Sequence, residues 1–183
     1  MRKLLKFLAI LVLGVFCCAC VNTFAIQELN EKAQEYMEQG DIESALARLE
    51  ASIDLGGDVY ETRYNTGTAY IQIGKCDKAI KHLQAATTLK PEEPIAFYSL
   101  GVAGNCAATN IYETKNEYGN TVPKIYTYQR DIEKARNDYN NYMNISVQAF
   151  ENYLKIVPNA EDSSRVNEII KESTQKLQNL NKQ

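Results

Sequence analysis

Two stretches of the chain repeat the same order of apolar and polar positions with a shift of 34 residues and no gap. Ala33, Tyr36, Gly40, Ala45, Leu49, Ser52 and Gly57 align with Gly67, Tyr70, Gly74, Ala79, Leu83, Ala86 and Pro91. Within each stretch the apolar residues recur at steps of three and four, which predicts helices. In the first unit Leu29, Ala33, Tyr36 and Met37 share one face, and Gly40 ends the helix. Asp41 is placed to cap the next helix, with Ser44 in its first turn, and Ala45, Leu46, Leu49 and Ile53 form the second face. Small residues fall where two helices must touch, and an aromatic falls where the pair needs a wedge. This is the period of a stacked helix-pair array.

The first unit spans 26–59 and the second 60–93. A third begins at Pro94, with Phe97, Leu100 and Gly101 at the expected anchors, but its second half arrives late. Ser146, Phe150, Tyr153 and Pro158 supply that half. Gly67 to Pro91 is 24 residues, whereas Gly101 to Pro158 is 57, so 33 residues are inserted, near 109–141. Gly119, Asn120 and Pro123 form a turn cluster inside the insertion, and from Tyr128 a helical spacing runs into Val147 and Phe150. The economical reading is two overlong helical arms turning at 119–124, each projecting about 24 Å at 1.5 Å per residue. A loop is the rival, favoured by the many Asn and Tyr residues. Residues 159–183 read as a final amphipathic helix, capped by Asp162 or Ser163, with Val166, Ile169, Ile170 and Leu177 closing the stack.

Residues 26–93 resemble the tetratricopeptide repeat family, and 94–158 resemble one expanded unit of it. The segment Tyr64 to Glu93 carries the family's glycine, tyrosine, glycine, alanine, leucine, alanine and proline in order, with Thr66 where leucine is usual. The resemblance implies an all-α fold, a right-handed superhelical stack of antiparallel helix pairs whose first helices line a concave wall. It implies that proteins or peptides bind there. Carried over by register, the wall is Asn30, Gln34, Met37 and Glu38, then Tyr64, Asn65, Thr68, Ile71 and Gln72, then Tyr98, Val102 and Asn105. One subset of the family grips a terminal carboxylate with lysines, asparagines and an arginine. Only Asn65 matches that set; Asn30 and Gln34 replace its first lysine and asparagine, and Ile95 and Ser99 replace its final cations. Chaperone-tail binding is therefore not expected, and the groove is neutral and amphipathic.

Residues 1–25 differ in kind from the rest. Arg2, Lys3 and Lys6 precede an apolar run from Leu4 to Ala19, and no acidic residue occurs before Glu28. This is the pattern of an export signal, too short for a comfortable membrane span. Two processing routes stay open: lipidation at Cys20 after Ala19, resembling a bacterial lipoprotein site, or cleavage after Ala25. Both place the chain in the cell envelope, in the periplasm or at a membrane held by lipid. Without the leader, 17 basic residues face 23 acidic ones, a net charge of −6. That acidity argues against nucleic acid, whose phosphates need a basic footprint.

Outside the leader, cysteine occurs only at positions 76 and 106. The register places Cys76 at the start of one helix and Cys106 late in its antiparallel neighbour. In an oxidising compartment they are a disulfide candidate, and otherwise two small buried hydrophobes. Chemistry is scarce. His82 is the chain's one histidine, flanked by Lys81 and Gln84, and reads as a solvated surface group. No metal or cofactor is expected, nor a catalytic set. Six of twelve tyrosines lie in or beside the insertion: Tyr112, Tyr118, Tyr126, Tyr128, Tyr139 and Tyr142. The expected function is a non-enzymatic envelope scaffold binding another protein. The alternative is a homo-oligomeric structural protein associating through that tyrosine-rich arm. Intact-mass analysis of the native protein checks the leader: a diacylglyceryl Cys20 or a start at Ile26 is expected, and retained Met1 refutes export.

Overall fold

The computed structural model describes residues 22–56, 59–115 and 120–180. The leader up to Val21 with its candidate Cys20, together with Gly57, Tyr118 and Gly119, lies outside them. Helix α1 covers 22–38. It is followed by α2 (Ile42–Asp54), α3 (Tyr60–Gln72), α4 (Cys76–Leu89) and α5 (Pro94–Tyr112), then strands β1 (Glu113–Lys115) and β2 (Thr121–Pro123). Two helices complete the chain, α6 (Gln129–Ile156) and α7 (Ser163–Leu180). From α2 on each helix packs on the next in sequence, and α1 joins the same core through Ala33, which makes a stack of helix pairs.

The local signals act through identifiable contacts. Asp41 caps α2, its carboxylate accepting from the Ser44 N–H at 3.0 Å. The Ser44 hydroxyl first, and this N–H second, hold the Asp41 carboxyl below its usual pKa. Gly74 ends the α3 turn at φ +72°, a left-handed conformation that a Cβ disfavours. Leu49, Leu83, Ala33, Ala45, Ala79 and Ala103 are fully buried and form one continuous core. Burying each leucine contributes about 1.5–3 kcal/mol relative to exposure. Tyr70 is the wedge: it is buried, and its hydroxyl donates to Glu50 Oε1 at 2.9 Å.

Close approach sets the pairing. A Cβ at Gly67 would lie 2.5 Å from Leu83 Cγ, and one at Gly101 would lie 2.7 Å from the Phe150 ring. At Gly104 the obstacle is backbone: Ser146 N and Tyr142 O stand 2.8 Å from where a methyl would sit. The Ser146 hydroxyl donates to the Gly101 carbonyl at 2.8 Å, a buried bond that fixes the register of α5 on α6.

The insertion departs from two overlong helical arms. α5 runs 19 residues and α6 runs 28, but between them the chain forms an antiparallel ladder pairing Thr114 with Val122. The β-branched run Thr121-Val122 favours extended backbone, and Pro123, unable to donate, ends it. Lys124 N–H then donates to Tyr112 O at 2.7 Å, and the Tyr126 hydroxyl to Ile111 O at 2.6 Å, folding the chain back onto α5. Three tyrosines of the arm pack together, Tyr112 meeting Tyr126 and Tyr139 at ring separations of 6.4 and 5.2 Å, while Tyr128 is exposed.

Helix α7 lies along α6. Val166 is fully buried with Phe150 and Tyr153, while Leu177 and Leu180 pack at Tyr139 and Met143. The cap differs from the expected one. Asp162 spends its carboxylate on the Tyr153 hydroxyl, at 2.7 Å, and that bond raises the Tyr153 pKa to about 12. Its carbonyl still accepts the Val166 N–H at 3.0 Å.

Gly104→Ala tests the backbone contact. It is expected to cost about 1–3 kcal/mol as an overpacked site, lowering the melting midpoint by several degrees in calorimetry.

Candidate functional site

The face formed by the first helices is centred on α3. Tyr64, Asn65, Thr68 and Ile71 are half-buried there and Gln72 is exposed, with Asn65, Thr68 and Ile71 each about one turn from the next. Tyr64 and Ile71 rest on the core beneath, while the Thr68 hydroxyl donates to Asn65 O at 3.0 Å. At the start of α3, Tyr60 stacks on Tyr64 with centroids 5.7 Å apart. Lys90 lies 4.4 Å over the Tyr60 ring and 2.7 Å from Glu61 Oε1. Burial, then Glu93, pushes the Tyr60 hydroxyl up to about 12.

A cleft opens at each end of α3. One, of about 370 Å³, lies between α1 and α3 and is lined by Ile26, Gln27, Asn30, Glu31, Gln34, Val59, Glu61 and Asn65. The other, of about 700 Å³, lies between Ile71–Gly74 and the far end of α5, walled by Asn110, Glu113, Thr114, Thr121 and Lys124. The hairpin is therefore one wall of the larger cleft. Pattern reading missed these hairpin residues because their role depends on a fold-back that no periodicity encodes.

The predicted wall residues divide into three groups. Gln34 and Asn65 line the smaller cleft and Ile71 the larger, with Thr68 between them on α3. Met37, like Tyr64, supports from below. Asn30, which also lines the smaller cleft, and Tyr98 do structural work. The Asn30 amide donates to Ile26 O at 2.8 Å, Thr62 Oγ1 at 2.8 Å and Ser52 Oγ at 3.2 Å, tying α1 to α2 and α3. The carbonyl partner at Ile26 fixes which side-chain atom is nitrogen. Asn30 Oδ1 is left buried with no hydrogen bond among the described residues. Tyr98 packs edge-on to Phe150 and Tyr153, at 5.7 and 5.3 Å, and Val102 joins the same cluster with α6 and α7. Asn105, half-buried on α5, accepts the Thr109 hydroxyl at its carbonyl, 3.0 Å away.

A disulfide joins Cys76 to Cys106 across α4 and α5, with Cα atoms 5.9 Å apart. One turn further on, the Asn110 amide donates to Gly74 O at 3.1 Å. The two links clamp the floor of the larger cleft to the α3–α4 turn.

His82 is not the solvated group its neighbours suggest. It is half-buried and stacks on Tyr70 at 5.6 Å, with Arg63 Nη1 donating to its Nδ1 at 3.4 Å. Burial first, and Arg63 second, hold its pKa below the ordinary value. Among the described residues no group of three His, Cys, Asp or Glu side chains converges to hold a metal ion, and no helix is long and apolar enough to cross a membrane.

The profile of the tetratricopeptide repeat family matches residues 30–94 and, in a second register, 64–105. Residues 30–105 are thus similar to the repeats of that family. Solved structures extend the likeness of fold over most of the chain. The second tetratricopeptide domain of human RPAP3, in complex with an HSP70 peptide, is 18% identical with a TM-score of 0.57, covering 82% of this chain and 98% of that one. The type III secretion chaperone SycD of Yersinia enterocolitica, in complex with a peptide of the translocator YopD, is 14% identical with a TM-score of 0.54, covering 82% and 92%. A Thermobaculum terrenum O-GlcNAc transferase is 15% identical with a TM-score of 0.52, covering 78% of this chain but 21% of that enzyme. Comparison with curated protein sequences gives no significant match. The tetratricopeptide stack here is thus an all-α fold whose third helix pair carries the hairpin.

Replacing Cys76 and Cys106 together by alanine is expected to cost roughly 3–4 kcal/mol, given the 30-residue separation. Denaturant titration checks this: reductant should lower the stability of the parent protein and leave the variant unchanged.

Proposed function

We propose that this chain is an exported, non-enzymatic scaffold that binds an extended segment of another protein along the α3-centred face. The observation that carries the reading is the line of Asn65, Thr68, Ile71 and Gln72, running along one face of α3 between two clefts. Polar side chains beside one half-buried apolar one suit a main chain that needs hydrogen bonds and a side chain that needs a pocket. Domains of this fold hold peptides in the RPAP3 and SycD complexes, which supports the reading by fold.

Export is supported by the basic-apolar leader and by the Cys76–Cys106 disulfide, since such bridges persist in oxidising compartments. Lipidation at Cys20 would set α1, which covers 22–38, close to a membrane surface. The packing of Tyr112, Tyr126 and Tyr139 against one another favours the scaffold over self-association through the arm.

A photo-crosslinking side chain tests the face in cells. Placed at Thr68 or Gln72 it is expected to capture a discrete partner, and placed at the exposed Lys81 of α4 it is not. Thr68→Arg should reduce capture about tenfold or more, as blocking an interface centre does. Equal capture from Lys81 refutes the proposal.

A further inference from the structure

We propose that the end of the stack where α1 begins rests on a membrane of zwitterionic lipids, which turns the hairpin and the larger cleft away from the bilayer. This builds on the lipid-anchored form of the export reading and adds how the anchored molecule stands.

Antiparallel helices gather their termini into two sets. The starts of α1, α3 and α5 share one end of the stack with the finishes of α2, α4 and α6. Contacts trace that end as one edge. Thr23 and Val59 line the same cleft, Lys90 lies over the Tyr60 ring and meets Glu61, and Ile95 borders an apolar cleft of about 450 Å³ with Val157 and Ala160. Phe24, Leu55, Val59, Leu89 and Ile95 are exposed along it, Phe24 by 71%. The turns at the opposite end are polar: Gln39, Gly40 and Asp41 join the first pair, and Gly74 and Lys75 the second. Among the described residues the other large apolar side chains left exposed are Ile125 and Tyr128, beyond the far end of α5. A row of wet apolar side chains on one edge marks a contact surface.

Where the chain leads says what covers it. Cys20, the lipidation candidate, stands two residues ahead of Asn22, the first described residue of α1, so an acyl anchor there meets the bilayer beside Phe24. An aromatic ring suits the headgroup boundary, and shallow apolar contacts add to the hold of the acyl chains and fix the tilt. The charge of the edge narrows the lipid. Asp54, Glu61 and Glu92 are exposed on it, and Lys90 is already paired with Glu61, so anionic headgroups are repelled and neutral ones are not. Helix α5, 19 residues long, carries the hairpin and the larger cleft up to about 28 Å from this edge at 1.5 Å per residue.

The chain contains no tryptophan, so one introduced at a time reports its own surroundings. Full chain carrying Phe24→Trp, Ile95→Trp or Tyr128→Trp is purified from its native host in mild detergent. It is then reconstituted into vesicles of phosphatidylethanolamine and phosphatidylcholine, with brominated phosphatidylcholine as the quencher. Emission from positions 24 and 95 should fall about twofold or more on bromination, and that from position 128 should not change. Added phosphatidylglycerol should weaken the quenching at position 95; stronger quenching refutes the preference for neutral lipid. Circular dichroism melts verify that each variant folds. Quenching at 128 equal to that at 95, or none at 95 in protein whose mass shows an acylated Cys20, overturns the orientation while the anchor stands. A blue shift at 95 that follows protein concentration rather than lipid assigns the edge to a second copy and overturns it as well. A chain whose mass shows no acyl group overturns anchor and orientation together. The peptide-binding face is judged by its own crosslinking test and survives all of these outcomes.

Discussion

The architecture turns on how closely α5 can approach α6. Gly101 and Gly104 bring the two backbones together, and at Gly104 the space a methyl needs is already filled by the main chain of Tyr142 and Ser146. Everything beyond the second helix pair inherits its position from that contact. Phe150 and Tyr153 are buried because α5 lies against them, and α7 has a surface to cover only because α6 presents those rings. The Ser146–Gly101 hydrogen bond adds direction to what is otherwise nondirectional packing. A stack of repeats propagates such a constraint, since each unit contacts only its neighbours.

The insertion is the feature that makes this stack individual. Extending α5 past its usual length carries Asn110 to the α3–α4 turn, where it meets Gly74 O beside the disulfide. The hairpin then folds back rather than projecting, because Tyr112, Tyr126 and Tyr139 bury one another against α5 and α6. The result is a cleft at one end of α3 walled in part by the hairpin residues Glu113, Thr114 and Thr121. A generic scaffold acquires a particular wall by local elaboration, without any change in its helical register.

The helix pairs were legible because their signal is redundant. Ala, Gly and Tyr recur at matching offsets, and each is dictated by a contact distance that few other residues satisfy. The position of Cys76 at the head of one helix and Cys106 late in the next followed from that register. The hairpin was not legible: three-residue strands carry too little pattern to be told from a turn. The wall was legible only in part. Asn30 looks like a groove residue by register, yet its partners Ser52 and Thr62 stand 22 and 32 residues away, and only the assembled helices bring them together. Tyr98 was misleading for the same reason, its ring being claimed by Phe150 and Tyr153 from the far side of the insertion. His82 lost its solvated character to a neighbour, Tyr70, twelve residues earlier.

The seams between successive helix pairs are built of different materials. Asn30, Ser52 and Thr62 join the first to the second through neutral hydrogen bonds, whereas a covalent bridge rivets the second to the third. The seams are thus graded along the length: packing and hydrogen bonds alone join α1 and α2 to the rest, and a covalent link is added between the second pair and the third.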